Sequence, residues 1–364
     1  MRHTILATCL ALASAGVFAA TQYTGDKIDG VPVISKLDVS DLPAGTVQHF
    51  WFQGVENAIG QHQYVPVMVA KGVEPGPRLG LQSGLHGDEL NGTRTVQKVF
   101  DAIDPARLKG VVIGVVGANP TGMLANNRNF QLQNDGGDMT DPNRLWPGKE
   151  HKDAGKRHIW LLWNQLWGGN VDLFIDLHTQ SRGTAYPLFV YTDARITQSF
   201  DMAKLIPADQ IKLDPGEPGS AETTFDENKV PAITMEIGQA KLYETALIEK
   251  SYIGVMNVLV ANHMLPGKLG KTSREAKTYF GNDMTSVRAE VGGFAEVLVA
   301  LNQDVVKGQK IAVQRDAFGK VLKTYFAPEN GRVLSIGTDP LREPGGLLVR
   351  LLLQNPAAEC KLGC

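Results

Sequence analysis

Leu79-Gly80-Leu81-Gln82-Ser83-Gly84-Leu85-His86-Gly87-Asp88-Glu89 runs from an apolar stretch into a histidine and a glutamate three residues apart. Leu79 to Gly84 reads as the end of a buried strand. The His-x-x-Glu spacing puts two side chains one turn apart, so both can face one ion. A third candidate follows in Val171-Asp172-Leu173-Phe174-Ile175-Asp176-Leu177-His178, another apolar strand that leads into a histidine. Two imidazoles and one carboxylate, with the fourth position left to water, form the ligand set of a catalytic zinc site. Ligands at the carboxyl ends of strands lie where open α/β sheets place their sites. His86, Glu89 and His178 are therefore the candidate ligands of one zinc ion per chain. Each piece alone has a plainer explanation: a surface pair for His86 with Glu89, a core histidine for His178.

Outward from this stretch, strand-like and helix-like runs alternate to about residue 265. The expected strands are Gln63–Ala70, Val111–Gly117, Val171–Leu177, Pro187–Tyr191 and Ala232–Ile237. The expected helices are Leu90–Ile103, His158–Trp167, Thr197–Leu205 and Tyr243–Met264. The last carries Leu247, Ile248, Ile253, Val255, Met256, Leu259 and Val260 at helical spacing. Such alternation predicts an α/β fold with a mixed, mainly parallel sheet flanked by helices. An entry segment of two or three strands precedes it, over residues 21 to 77 or so.

The texture changes after Pro266-Gly267-Lys268-Leu269-Gly270. Short β-like runs follow, among them Phe294–Ala300 and Lys310–Val313, with turns expected at Asp304–Gln309 and Ala327–Val333. We therefore expect a catalytic domain over 21–270, a smaller β-rich domain over 271–355 and a tail over 356–364. The β-rich part resembles a biotinyl/lipoyl-like barrel, but it lacks the hairpin-tip lysine motif, so no carried cofactor is expected.

At the N-terminus, Arg2 and His3 precede an apolar, small-residue stretch from Ile5 to Val17. It is too short for a stable membrane anchor and reads as a Sec-type signal peptide. Cleavage is expected after Ala19 or, less favourably, Ala20, where bulky Phe18 would sit at −3. The protein is then periplasmic or secreted. Cleavage removes Cys9 and leaves Cys360 and Cys364, which can pair in an oxidising compartment. A loop that short adds little stability. The chain of 364 residues is 43% hydrophobic with a net charge of −2, and it has no basic run of the kind that binds nucleic acid.

Further chemistry-bearing residues fall between and after the candidate ligands. Asn119-Pro120-Thr121-Gly122 follows the strand at Val111, then come Arg128 and Asp141-Pro142-Asn143-Arg144, and Glu236 lies in Ala232-Ile233-Thr234-Met235-Glu236. Water attack on an amide beside a carboxylate needs these residue types: a glutamate to move the proton, an arginine for the oxyanion, and an arginine–asparagine pair for the carboxylate. Plainer roles exist for Glu236 as a sheet-edge ion pair, Arg144 as a cation–π partner of Trp146, and Arg128 as a loop residue. Asp176 shares a side of the strand with His178 and can orient it.

In this order the motifs resemble the succinylglutamate desuccinylase/aspartoacylase family, a branch of the zinc carboxypeptidase-like hydrolases, over residues 75 to 265 or so. The resemblance implies His86, Glu89 and His178 as zinc ligands, Glu236 as general base, Arg128 as carbonyl or oxyanion partner, and Asn143 with Arg144 as carboxylate clamp. It implies a small N-acyl amino acid as substrate, and a homodimer is compatible with it. Pro142 replaces the family's leucine in Asp-Leu-Asn-Arg. The interval from Arg128 to Asn143 is long and holds a flexible acidic loop, Asp135-Gly136-Gly137-Asp138. The leading expectation is an exported zinc amidohydrolase. A metallocarboxypeptidase acting on short or cell-wall peptides is the alternative, and a non-catalytic binding protein the third.

Overall fold

The computed structural model describes residues 20–134 and 138–364. The expected signal peptide and Asp135-Gly136-Gly137 of the expected acidic loop lie outside the described residues. A large mixed sheet forms from β1 (Gln22–Ile28), β2 (Val31–Lys36), β3 (Thr46–Glu56), β4 (His62–Lys71), β5 (Glu74–Ser83), β6 (Lys109–Val115), β7 (Leu173–Gln180), β8 (Leu188–Thr192), β9 (Gln210–Leu213), β10 (Ala232–Gln239) and β11 (Tyr279–Gly281). Their order across the sheet is β1-β2-β3-β4-β6-β5-β7-β10-β8-β9-β11. The centre, β6-β5-β7-β10, is parallel. The entry segment holds four strands before Gly72, one more than the most expected. The first strand, β1, is exposed through most of its length, which weakens any alternating apolar signal.

Helices cover both faces of the sheet. One core lies under Asn91–Ala102, Thr197–Leu205 and Thr245–Ala261 and contains Val96, Val99, Met202, Val255 and Leu259. The other lies under Ala154–Leu161, its π-helical continuation Leu162–Trp167, and Ala221–Glu227. Here Trp167, Phe174 and Phe225 pack together, the last two stacked with centroids 3.7 Å apart. The strand Gln210–Leu213 and the helix Ala221–Glu227 carry no sequence signal strong enough to be expected. Four and seven residues leave little room for a period to show.

Beyond β11 the chain is β-rich. Asp283–Arg288, Gly331–Gly337 and Leu347–Leu353 form one small sheet, and Gly293–Val297, Lys310–Arg315 and Val321–Phe326 form the core of another. The two expected turns are corrected in part: Asp304–Val305 pairs as a short strand with Arg332 and Gly331, and the strand at Gly331 begins inside the second run. Polar residues facing solvent at strand ends mimic turn composition, which misled the reading. Phe189 of β8 and Tyr186 just before it pack with Leu334 and Leu352, docking the C-terminal sheet against the large one.

Candidate active site

The His86–Glu89 pair does not sit on a helix, as its spacing suggested. It occupies a tight turn after β5, where the Glu89 N–H donates to the His86 carbonyl at 3.2 Å, and the helix starts only at Asn91. The turn brings both side chains to the same point. Gly87 is required there by a close approach: a Cβ would lie 2.1 Å from the Gly122 carbonyl carbon. The Asn119-Pro120-Thr121-Gly122 motif therefore acts as a platform. Asn119 Oδ1 caps its short helix by accepting the Gly122 N–H at 2.9 Å. The Arg128 carbonyl accepts the Gly87 N–H at 3.2 Å, which fixes the Arg128 loop against the ligand turn.

His178 enters from β7, and Glu236 is its register neighbour on β10. His86 Nδ1 and His178 Nδ1 lie 3.0 Å apart. Glu89 straddles them, with Oε1 3.0 Å from His86 Nδ1 and Oε2 2.9 Å from His178 Nδ1. All three side chains are buried. Each imidazole also has a carboxylate on its far side: Asp141 Oδ1 is 3.0 Å from His86 Nε2, and Asp176 Oδ2 is 2.8 Å from His178 Nε2. A ring N–H that donates to a carboxylate leaves the other nitrogen as a bare lone pair. Two such lone pairs facing each other at 3.0 Å beside a carboxylate are mutually repulsive without a cation between them. The residues thus fit a metal ion, with ligand atoms that all lie within 4.8 Å of one another.

Behind His178 the hydrogen bonds continue into the core. Gln82 Nε2 donates to Asp176 Oδ1 at 3.2 Å, and Trp167 Nε1 donates to Gln82 Oε1 at 3.1 Å. On the other side, Arg128 Nη1 donates to Glu89 Oε1 at 2.5 Å and its guanidinium lies 3.6 Å from Asp141. Burial works to raise the Glu89 carboxyl, but His86 and Arg128 outweigh it and hold it well below the ordinary range. Asp141 is lowered by the same neighbours against its own burial. Sequence reasoning did not assign Asp141. Its signal was an aspartate just before a proline, the pattern of an N-cap with Pro at the first helical position, and it caps the turn at Asn143.

Glu236 faces the same cavity, and its Oε2 is buried without a hydrogen-bond partner. Burial pushes its carboxyl up to about 8, with His178 opposing and Glu89 reinforcing the shift. No sheet-edge lysine pairs with it among the described residues. The Asn143 and Arg144 loop is set by Gly219, whose φ is +84° and whose Cβ would meet the Arg144 carbonyl oxygen at 2.7 Å. Asn143 Oδ1 accepts the Ala221 N–H at 2.9 Å, so its amide hydrogens are free for the cavity. Arg144 pairs with Glu217 at 3.7 Å, not with Trp146. The cavity of about 280 Å³ brings together His86, Arg128, Asn143, Arg144, His178 and Glu236, with Glu89 buried behind them. Its far wall is Tyr186, Tyr191, Met284 and Arg350.

This constellation is a buried His-Glu-His group that could hold a metal ion, set at the ends of strands of a mixed α/β sheet. Residues 75–261 match the succinylglutamate desuccinylase/aspartoacylase catalytic domain. The chain belongs to the succinylglutamate desuccinylase/aspartoacylase family, which points to deacylase, aspartoacylase-like hydrolase activity. It is 28% identical over 292 residues to the N-alpha-acetyl-L-2,4-diaminobutyric acid deacetylase of Halomonas elongata, covering 75% of this chain and 81% of that protein. In fold it is similar to the product-bound ectoine utilization protein EutE of Ruegeria pomeroyi, with a TM-score of 0.75, 20% identity and coverage of 86% of this chain and 98% of the other. A succinylglutamate desuccinylase/aspartoacylase from Rhodobacter sphaeroides is similar at TM-score 0.75 and 17% identity, covering 86% and 98%.

Proposed function

We propose that this protein is an exported, zinc-dependent amidohydrolase that cleaves the amide next to a free carboxylate and releases an amino acid from a small N-acyl group. One observation carries the reading: His86, His178 and Glu89 converge on a single point beside the unpartnered carboxyl of Glu236. His86 Nδ1, His178 Nδ1 and Glu89 are the residues that would hold zinc. When bound there, zinc polarises the substrate carbonyl and acidifies a water. Glu236 takes the proton of the attacking water on its free oxygen and returns it to the leaving amine. Arg128, fixed beside Glu89, faces the carbonyl oxygen as it gains charge. The Asn143 amide and the Arg144 guanidinium hold the substrate carboxylate and so orient the amide.

The modest size of the cavity, about 280 Å³, supports a small acyl group over a peptide. Met284 and Arg350 of the C-terminal sheet close one wall of it. Export is supported by the apolar N-terminal stretch and by the Cys360–Cys364 disulfide, which suits an oxidising compartment. The test is zinc-dependent release of one C-terminal amino acid from acetyl, succinyl and N-acetyl-aminoacyl derivatives. We expect rates that fall sharply as the acyl group grows; rates that rise with peptide length identify a carboxypeptidase instead. N-terminal sequencing of protein recovered from the periplasm or medium should begin at Ala20 or Thr21.

A further inference from the structure

The loop closed by the Cys360–Cys364 disulfide is tied to the large sheet at several points. Asn282, just after β11, donates from its side-chain amide to the Cys360 carbonyl at 2.8 Å, and its own carbonyl accepts the Cys364 N–H at 2.7 Å. Gly363 lies so close to β9 that a Cβ would come within 2.4 Å of the Leu213 carbonyl oxygen. The main-chain oxygen of Cys364 accepts from Lys212 Nζ at 2.7 Å. A cross-link over so short a loop adds little global stability, so its effect is local. Without it, Gly363 and Cys364 regain the backbone freedom of a surface loop and keep their places only through a few hydrogen bonds.

Lys212 is a buried lysine that the hydrolytic site does not use. Its side chain is 3% exposed, and its ammonium donates to Cys364 and to Asp214 Oδ2, the latter at 2.6 Å. Covered by the loop, this ion pair sits where charges attract strongly; opened to water, it weakens to the worth of a surface pair.

Asp214 passes the contact on to the cavity. Its Oδ1 accepts the Gly216 N–H at 2.8 Å, and the Glu217 N–H donates to Thr223 Oγ1 at 2.8 Å. Asp214, Gly216 and Glu217 all line the cavity beside Arg144. Two residues further on, the Gly219 carbonyl accepts the Trp146 N–H at 3.0 Å, and Gly219 itself abuts the Arg144 carbonyl. The turn at 214–219 therefore backs the loop that presents Asn143 and Arg144.

We propose that the disulfide-closed loop is a brace for the substrate cavity: it covers Lys212, Lys212 holds Asp214, and Asp214 sets the turn that backs Arg144. Lys212 is a positioning residue and acts through Asp214. The inference rests on the carboxylate-clamp part of the reading above and adds that substrate affinity depends on the redox state of Cys360 and Cys364.

Hydrogen exchange in the peptide that carries Gly216 and Glu217 reads the brace without any substrate. In the double variant Cys360→Ser/Cys364→Ser, exchange there should be about tenfold faster than in the wild type, the scale of one lost hydrogen bond to a charged group. On an N-acetyl amino acid the same variant should show a KM about tenfold higher with kcat nearly unchanged, because the chemistry at Glu236 is untouched. Lys212→Met keeps the volume without the charge and should raise KM likewise. Combined with the serine pair it should add little, since both break one path. Dithiothreitol opens the disulfide by exchange, passing two electrons and two protons to give two thiols while it closes to its own cyclic disulfide. It should bring the wild-type KM to that of the serine pair and leave the serine pair where it was; an action of the reagent on zinc would alter both.

Unchanged exchange in the serine pair sinks the brace whatever the rates are. Faster exchange with an unchanged KM, or additive effects of Lys212→Met and the serine pair, sinks the link from the loop to the cavity. Faster exchange in a protein that turns over no N-acyl substrate keeps the brace on the turn and sinks the hydrolase reading instead.

Discussion

Asp141 Oδ1 lies 3.0 Å from Nε2 of His86 and also accepts the Asn143 backbone N–H at 2.9 Å. One carboxylate therefore ties the ligand turn after β5 to the loop that carries the proposed carboxylate clamp. It fixes which nitrogen of His86 is bare and where Asn143 begins. Asp141→Ala should weaken zinc binding by about 10- to 100-fold, the usual scale for a carboxylate behind a ligating histidine. Competition with a chromophoric chelator reads this directly; unchanged zinc affinity removes Asp141 from the site.

Glu236 has a free, buried carboxyl oxygen in the cavity. Glu236→Gln keeps its shape and should bind zinc normally, while kcat falls about 10²- to 10⁴-fold, the range for loss of a general base. Metal analysis and rate measurement on the same preparation separate the two effects. A variant that turns over at near-normal kcat contradicts the assignment.

Arg144 sits at the cavity mouth, half exposed and only loosely paired with Glu217. Arg144→Ala should raise KM by about tenfold with a smaller effect on kcat, because a charge-assisted contact to the bound carboxylate is lost. An unchanged KM places the substrate carboxylate elsewhere.

The chain Trp167–Gln82–Asp176–His178 is buried throughout. Gln82→Leu strands both the Trp167 N–H and one oxygen of Asp176. It should cost about 1–3 kcal/mol of stability, as unsatisfied buried polar groups do. Denaturant unfolding tests this, and a loss below the error of the measurement shows that the groups find other partners.

His158 is fully buried, with Nε2 2.7 Å from the Ala118 carbonyl, and desolvation pushes its pKa down to about 4, partly offset by that hydrogen bond. The unfolded chain therefore binds a proton near pH 6.5 that the folded chain refuses until about pH 4. Stability contributed by neutral His158 is complete above pH 6.5 and lost as pH falls towards 4, by about 3 kcal/mol at most. His158→Gln should flatten this part of the profile of unfolding free energy against pH. An equally steep profile in the variant assigns the effect to other groups.

How much was legible follows from the range of each signal. Thr197–Leu205 was readable to the residue, and the strands under the site within a few residues, because long apolar runs carry their period locally. The ligand turn was misread as helical because His-x-x-Glu spacing fits a helix and a tight turn equally, and only packing against Gly122 selects the turn. Arg128 looked like an ordinary loop arginine in Asn126-Asn127-Arg128-Asn129, yet it contacts Glu89, a residue 39 positions earlier. Asp141 and Arg350 were invisible as site residues for the same reason: their partners are far away in the chain.

The sequence by itself determined the kind of fold, the family and the side chains that converge at the site, since each of these is written in local period or in short motifs. Tertiary structure alone decided which nitrogen of each histidine is free, which carboxylates stand behind them, and that a strand at 347–353 closes the cavity with Arg350. Those features depend on contacts between distant segments, and the free energy of such contacts has no counterpart in the spacing of neighbouring residues.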